Sequence, residues 1–262
     1  MSNTPHAARR PFESNWAARI GWLLLAAYVV YAGSRLGFTW ERFVVGLDHG
    51  GRLLSRMFPP TFERWQLLVD GIVESLQIAV IATFFGVILS LPIGFLAARN
   101  LMPPWVTWPT RLFIALCRSF HPIIVAILFV KAIGFGALAG VMALIVGSIG
   151  FISKLFAEAI EEISLKQVEA VRATGAGFLG ILIMGVQPQV LPRFIGFSTY
   201  QLDSNLRNST MVGIVGGGGI GATLFTAYQR FDYDFVLAIL IVIVAIIMLA
   251  EIVSGWARKV FQ

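Results

Sequence analysis

The chain has 262 residues, 57% of them hydrophobic and only 13% charged, with a mean hydropathy of +0.80. Soluble domains carry about 25% charged residues, so a water-covered globule is excluded and the class is a membrane protein; at about 20 residues per helical crossing there is room for six or seven spans but none for a separate soluble ATPase or catalytic domain. The net charge of +6 reads as Lys and Arg holding helix ends on the cytoplasmic side, not as a nucleic-acid surface.

Arg9, Arg10 and Arg19 precede an apolar run over residues 20–34, the pattern of a signal peptide. No small-x-small cleavage site follows and further spans come later, so an uncleaved first transmembrane helix is expected over 16–37, with Arg19 and Arg35 snorkelling to the interfaces. Residues 1–40 form this N-terminal tail and first helix. Residues 41–70 carry Glu41, Arg42, Asp48, Arg52, Arg56, Glu63, Arg64 and Asp70, with Pro59 and Pro60 breaking any long helix, and read as an external loop with room for short interfacial helices.

The stretch 75–98 is free of charge and is the clearest span. Residues 112–130 make a third span, bent at Pro122 and containing Arg118 and His121, groups that must face protein or water. Arg118 either lines a cavity or bonds carbonyls freed by the bend. After the turn at Gly134 and Gly136, residues 138–156 form the fourth span. Residues 157–190 are polar enough to leave the membrane.

Within that segment the sequence reads EAVRATGAGFLGILIMGVQPQVLP over 169–192. A helix over 168–174 should break at Gly175 and Gly177, and a second apolar run over 178–186 should end at Pro188. Such a helix–turn–helix either docks into a groove on a soluble partner or lies as an amphipathic loop on the membrane surface.

The fifth span, 194–211, turns unusually polar, with Tyr200, Gln201, Asp203, Asn205, Arg207, Asn208, Ser209 and Thr210. Asp203 and Arg207 stand at i, i+4 and can pair. They are then a structural ion pair, or else Arg207 with the amides and hydroxyls forms the polar wall of a translocation path. Gly216, Gly217, Gly218 and Gly219 belong to a run, GIVGGGGIG, that lacks the Lys-Ser or Lys-Thr of a phosphate loop. It is a tight turn or broken helix, with backbone N–H groups that an anion can use. The last span is 235–257, and residues 258–262 are a cytoplasmic tail. Six crossings put both termini on one side. The basic loops around Arg99, Arg111, Lys154, Lys166, Arg172 and Arg193 share that side, the cytoplasmic one. His6, His49 and His121 show no metal-ligand spacing, and no nucleophile–base set stands out.

The 169–188 pattern resembles the EAA loop of binding-protein-dependent ABC importer permeases: Glu-Ala-Ala, three residues, Gly, nine residues, then Ile-x-Leu-Pro. Glu169, Ala170, Gly175 and Pro188 match; Val171, Gly185 and Gln187 depart. The stretches SKLFAEAIEEI, EAVRATGA, QPQVLPRF and STYQLDSNLRNSTMVGIVGGGGIG resemble the phosphonate-type subgroup, so that the likeness covers residues 59–257. The resemblance implies an all-α polytopic bundle of about six transmembrane helices of the type I ABC importer permease kind, with residues 71–257 as the permease core. It implies a homodimer with a second permease copy, two cytoplasmic ATPase subunits that carry ATP and Mg, an external solute-binding protein, and a place in the bacterial inner membrane. Glu169, Ala170, Gly175 and Pro188 would couple to the ATPase. Arg118, His121, Tyr200, Asp203, Asn205, Arg207, Asn208, Ser209 and Thr210 would line the path, and the glycine turn would lie near the outer mouth. The cargo would be phosphonate, phosphite or a phosphate ester, with no cofactor on this chain and no nucleic acid. The competing classes are an intramembrane enzyme using Asp203, Arg207 and His121, and a self-contained anion channel; neither needs a docking loop.

Overall fold

The computed structural model describes residues 16–37 and 39–261, so the basic residues Arg9 and Arg10 lie outside the described residues, as does His6. Among the described residues the chain is helical, without strands. It forms two units, divided between Arg56 and Met57. In the first, α1 (Trp16–Arg35) and α2 (Trp40–Met57) are bent from each other by 60°. Helix α2 occupies much of the stretch read as an external loop and carries an i, i+4 ion pair, Arg52–Asp48 at 2.7 Å.

The second unit holds α3 (Trp65–Ala97), α4 (Pro104–Ser119), α5 (Pro122–Ile133), α6 (Ala137–Glu161), α7 (Leu165–Ala173), α8 (Phe178–Ile181), α9 (Gln187–Val212), α10 (Gly219–Gln229) and α11 (Tyr233–Phe261). π-helical turns at Leu182–Val186 and Gly213–Gly217 extend α9 at both ends, giving one continuous span over Phe178–Gly217. Four helical segments of the described residues are long and apolar enough to cross a membrane, and the total is six if each of two bent helix pairs is one span.

The third span departs from expectation. It is two helices of 16 and 12 residues at 89°, each too short to cross alone. Phe120 and His121 are both extended; His121, as the residue before a proline, avoids the helical region, and Pro122 starts α5 afresh.

Helices α3, α6 and α9 make the centre. In an apolar solvent helices associate through close packing of small residues, and α3 and α6 carry them at the contact: Gly86 against Ser148, and Gly94 against Phe156. A β-carbon on Gly94 would fall 2.6 Å from Phe156 Cδ1. Phe156 in turn meets Phe95 edge-on at 5.1 Å and Phe194 at 4.8 Å. This aromatic cluster joins Ile152, Val168, Ile181, Val186 and Val190 in one core that roots α7 and α8 onto α6 and α9. A second core, with Leu68, Ile220, Ala227, Phe235 and Ile239, ties α10 and α11 to the start of α3. The large side chains left exposed, among them Phe84, Ile88, Val244, Met248 and Ile252, are the surface that lipid covers.

The two ends of the unit differ in chemistry. At the α7 end, Arg111 pairs with Glu161 at 2.6 Å and donates from Nε to Ala97 O at 2.9 Å. Arg193 pairs with Glu162 at 2.6 Å. At the other end, Arg64 pairs with Asp232 at 2.9 Å and Thr61 hydrogen-bonds Asp234, so that α3 and α11 begin side by side.

Candidate functional site

Three places carry the chemistry that the sequence singled out. The first is the exposed α7–α8 element. Gly175 has a φ of +78°, in the left-handed region that glycine enters without cost. The turn it makes reverses the chain between α7 and α8. Val168 and Ile181 point into the core, while Glu169, Ala170, Gly175 and Pro188 are exposed. Leu165, Phe178, Leu179 and Met184 are exposed beside them. The element is held from below by Gln189, whose carbonyl accepts from Ser164 N at 2.9 Å and whose amide donates to Gly185 O at 2.6 Å. Pro188 does not end a helix, as the sequence suggested. It stands in the first turn of α9, where a missing N–H costs little, just after the π turn. Gly185 is buried against Val168: a β-carbon there would lie 3.4 Å from Val168 Cα.

The second place is the polar face of α9, which the fold divides. Asn205 is buried and its amide nitrogen donates to Thr83 Oγ1 and to Ser148 Oγ, each at 2.9 Å. Its carbonyl accepts from Gln201 Nε2 at 3.0 Å, and Gln201 donates a second bond to Ser148 Oγ at 3.0 Å. Ser148 passes its own proton to Leu144 O at 2.7 Å. Both N–H groups of Asn205 are thus committed, and the cluster locks α3, α6 and α9 together. Asp203 and Arg207 form an ion pair at 2.9 Å, Asp203 with 12% and Arg207 with 56% of its side chain exposed. Ser209 and Thr210 turn their hydroxyls back to Leu206 O and Arg207 O, both at 2.7 Å.

Bordering this network, with Gln201 and Asn205 in its wall, is a cavity of about 230 Å³ at the α4–α5 break. Arg118 from α4 and Tyr200, Ser204, Asn205 and Asn208 from α9 line it, with Cys117 and Phe151 beside them. Four of the nine path candidates therefore meet here: Arg118, Tyr200, Asn205 and Asn208. Asp203, Arg207, Ser209 and Thr210 lie outside its wall. So does His121, which caps α5 and accepts from Ile123 N at 3.4 Å.

The third place is the glycine turn. Gly216, Gly218 and Gly219 have φ of 98°, 81° and 72°. Gly216 O accepts from Gly136 N at 2.9 Å, and the N–H of Ile220 is taken by Ser75 Oγ at 2.9 Å. Gly217 and Gly219 are buried, and side chains on them would collide with Val212 and Ser75. Close packing of the α3, α6 and α9 ends is the role this geometry carries. A hollow beside the turn contains Glu74, Phe135 and Phe225. Sequence reasoning passed over Gly150, Ser148 and Thr83, because a hydroxyl or glycine in an apolar run carries no periodic signal of its own, and over Glu74, which stands just before the charge-free stretch. It also passed over the short helix α10.

Comparison with known proteins adds the following. The family model described as binding-protein-dependent transport system inner membrane component matches residues 90–262. The chain is 42% identical over 238 residues to the phosphate-import permease protein PhnE of Mycolicibacterium smegmatis, covering 90% of this chain and 44% of that relative's length. It is 39% identical over 218 residues to the phosphite transport system permease protein PtxC of Stutzerimonas stutzeri, covering 83% of this chain and 79% of that one. Among solved structures, an inward-facing conformation of the MetNI methionine ABC transporter contains a chain that superposes with a TM-score of 0.68 at 26% identity, covering 77% of this chain and 99% of that one.

Proposed function

The chain belongs to the family of binding-protein-dependent transport system inner membrane components, and from that premise we propose that it is the permease subunit of an ATP-driven importer of phosphorus oxyanions. The observation that carries this reading is the α7–α8 element. It is an exposed, apolar-edged helix–turn–helix rooted in the bundle core, built around Glu169 and a positive-φ Gly175. A channel or an intramembrane enzyme has no use for it; a subunit driven by a separate ATPase does.

In this reading, ATP and Mg are held by two ATPase subunits that seat against α7 and α8 of a permease homodimer. A solute-binding protein delivers the anion at the opposite end, beside the glycine turn. The α7 end carries Arg99, Arg111, Lys154, Lys166, Arg172 and Arg193, and by the positive-inside rule it faces the cytoplasm. Helix α11 starts at the other end, so its tail, with Arg258 and Lys259, returns to the cytoplasmic side. The relatives named for phosphate and phosphite import support the cargo class; phosphonate and phosphate esters share its tetrahedral oxyanion.

The test is uptake into proteoliposomes by the reconstituted permease with its ATPase and binding protein. Labelled phosphite or methylphosphonate should enter only with ATP and only when the ATPase is present. Entry without ATP would point to the channel reading.

A further inference from the structure

We propose that the mid-span cavity between α4, α6 and α9 is a binding site for the transported oxyanion, with Arg118 as its counter-ion. The proposal rests on the importer reading and adds to it a site within the permease itself.

Arg118 stands at the middle level of the spanning helix α6, exposed on the open side of the cavity. It packs on Gly150 of α6, which is 13 residues from Ala137 and 11 from Glu161, or about 20 Å and about 17 Å from the two helix ends at 1.5 Å per residue. A cation at that depth is costly and tends to mark a site. The fold makes room for it: a β-carbon on Gly150 would come 2.7 Å from Arg118 Cγ and 3.1 Å from Arg118 N. Transporter sites recur at this depth, where spanning helices are broken, and the α4–α5 break is such a place.

Among the described residues, the ion pairs engage Arg52, Arg64, Arg111, Lys154, Arg193 and Arg207, and Arg118 is in none of them. No carboxylate lines the cavity. The same cavity is lined by neutral side chains that can donate: Tyr200, Ser204 and Asn208, whose amide spends one N–H on Ser204 Oγ at 3.4 Å and keeps the other. Tyr200 is stacked on Phe151 at 5.5 Å, which fixes its ring. Asn205 and Gln201 are saturated by their own network, so that wall is rigid. The volume of about 230 Å³ equals roughly eight waters at about 30 Å³ each, enough for a four-oxygen anion and part of its hydration shell. Arg118 also borders a second hollow toward the α7 end, lined by Arg111, Lys154 and Glu158, in which the one lining carboxylate is paired with Lys154 at 3.5 Å.

The sequence supplies its own probe, since Cys117 is the only cysteine and lines the cavity. The full chain in lipid nanodiscs is labelled with a small anionic methanethiosulfonate and with its trimethylammonium counterpart. The anionic reagent should react about tenfold faster, the scale on which a charged cleft concentrates an opposite charge, and this preference should vanish in Arg118→Gln. Methylphosphonate or phosphite should slow the anionic reaction in the native protein and in Arg207→Gln, and not in Arg118→Gln. Protection by sulfate alone upholds the Arg118 site and overturns the phosphorus cargo. Protection that survives Arg118→Gln, or none from any oxyanion, overturns the site. Should Arg118→Gln fail to elute as a single species, Ser204→Phe, which fills the cavity from the opposite wall, must abolish protection in its place. If the native thiol does not react, the ³¹P line of methylphosphonate is measured instead: broadening by the native protein that is lost in Ser204→Phe supports the site, and no broadening rejects it.

Discussion

The side-chain amide of Asn205 donates to Thr83 Oγ1 at 2.9 Å, across 122 residues of sequence. With the bonds to Ser148 and from Gln201, this joins three spanning helices through groups that have no water to turn to. Both Asn205 and Asn208 border the cavity, but Asn205 has spent its amide on the bundle, while Asn208, three residues on, has not.

That division predicts opposite outcomes for two similar substitutions. Asn205→Leu removes three hydrogen bonds, worth about 0.6 kcal/mol each in a membrane, and should lower stability by about 2 kcal/mol. Asn208→Leu should leave stability almost unchanged and reduce uptake. Thermal unfolding followed by size-exclusion elution, set beside transport assays, separates the two.

Gly175→Val should abolish ATP-driven uptake while leaving insertion and yield intact. No atom lies within 4 Å of an added β-carbon there, so the cost comes from the φ of +78° and is about 1–2 kcal/mol of local strain. Gly175→Asn, which tolerates that region better, should keep measurable uptake. Glu169→Lys should be as inactive as Gly175→Val, with its loss traced to weaker co-purification of the ATPase.

Exchanging the charges of Asp203 and Arg207 tests whether that pair is structural. With a 2.9 Å contact at i, i+4, either single reversal should reduce uptake, and the double exchange should restore more than half of it. A double mutant that assembles yet stays inactive would assign Arg207, rather than Arg118, to the anion.

Reporters at Gly51 and Lys166 should lie on opposite sides of the membrane if there are six crossings. Impermeant thiol labelling of single-cysteine variants, built in Cys117→Ser, reads this directly. Labelling from one side only at both positions rejects the six-span arrangement.

The helical class and the spans at α3, α6 and α11 were legible because a run of apolar residues long enough for a bilayer has few other destinies. The Gly175 turn was legible for a similar reason, since glycine after a helical stretch marks a positive φ. The rest depended on partners distant in sequence. Nothing local told Asn205, which is saturated inside, from Asn208, which is not, because the difference lies in Thr83 and Ser148 on other helices. Pro122 announced a bend, yet its size required knowing that Phe120 and His121 would both be extended. Pro188 looked like a stop because the π turn before it has no sequence signature that would let the helix run on.

The helical run from Phe178 to Val212, with its π turn at Leu182–Val186, gives the molecule the mechanics of a lever. Its long arm runs from the exposed edge at Phe178 and Leu179 to Asn205, about 40 Å at 1.5 Å per residue, and Tyr200 and Ser204 stand on the last turns of that arm. The Asn205 cluster is the fulcrum, because it is where the arm is pinned to its neighbours. Displacement is therefore greatest at the exposed edge and shrinks toward the pin, so a swing that is large at Phe178 reaches the cavity wall only as a small turn about Asn205.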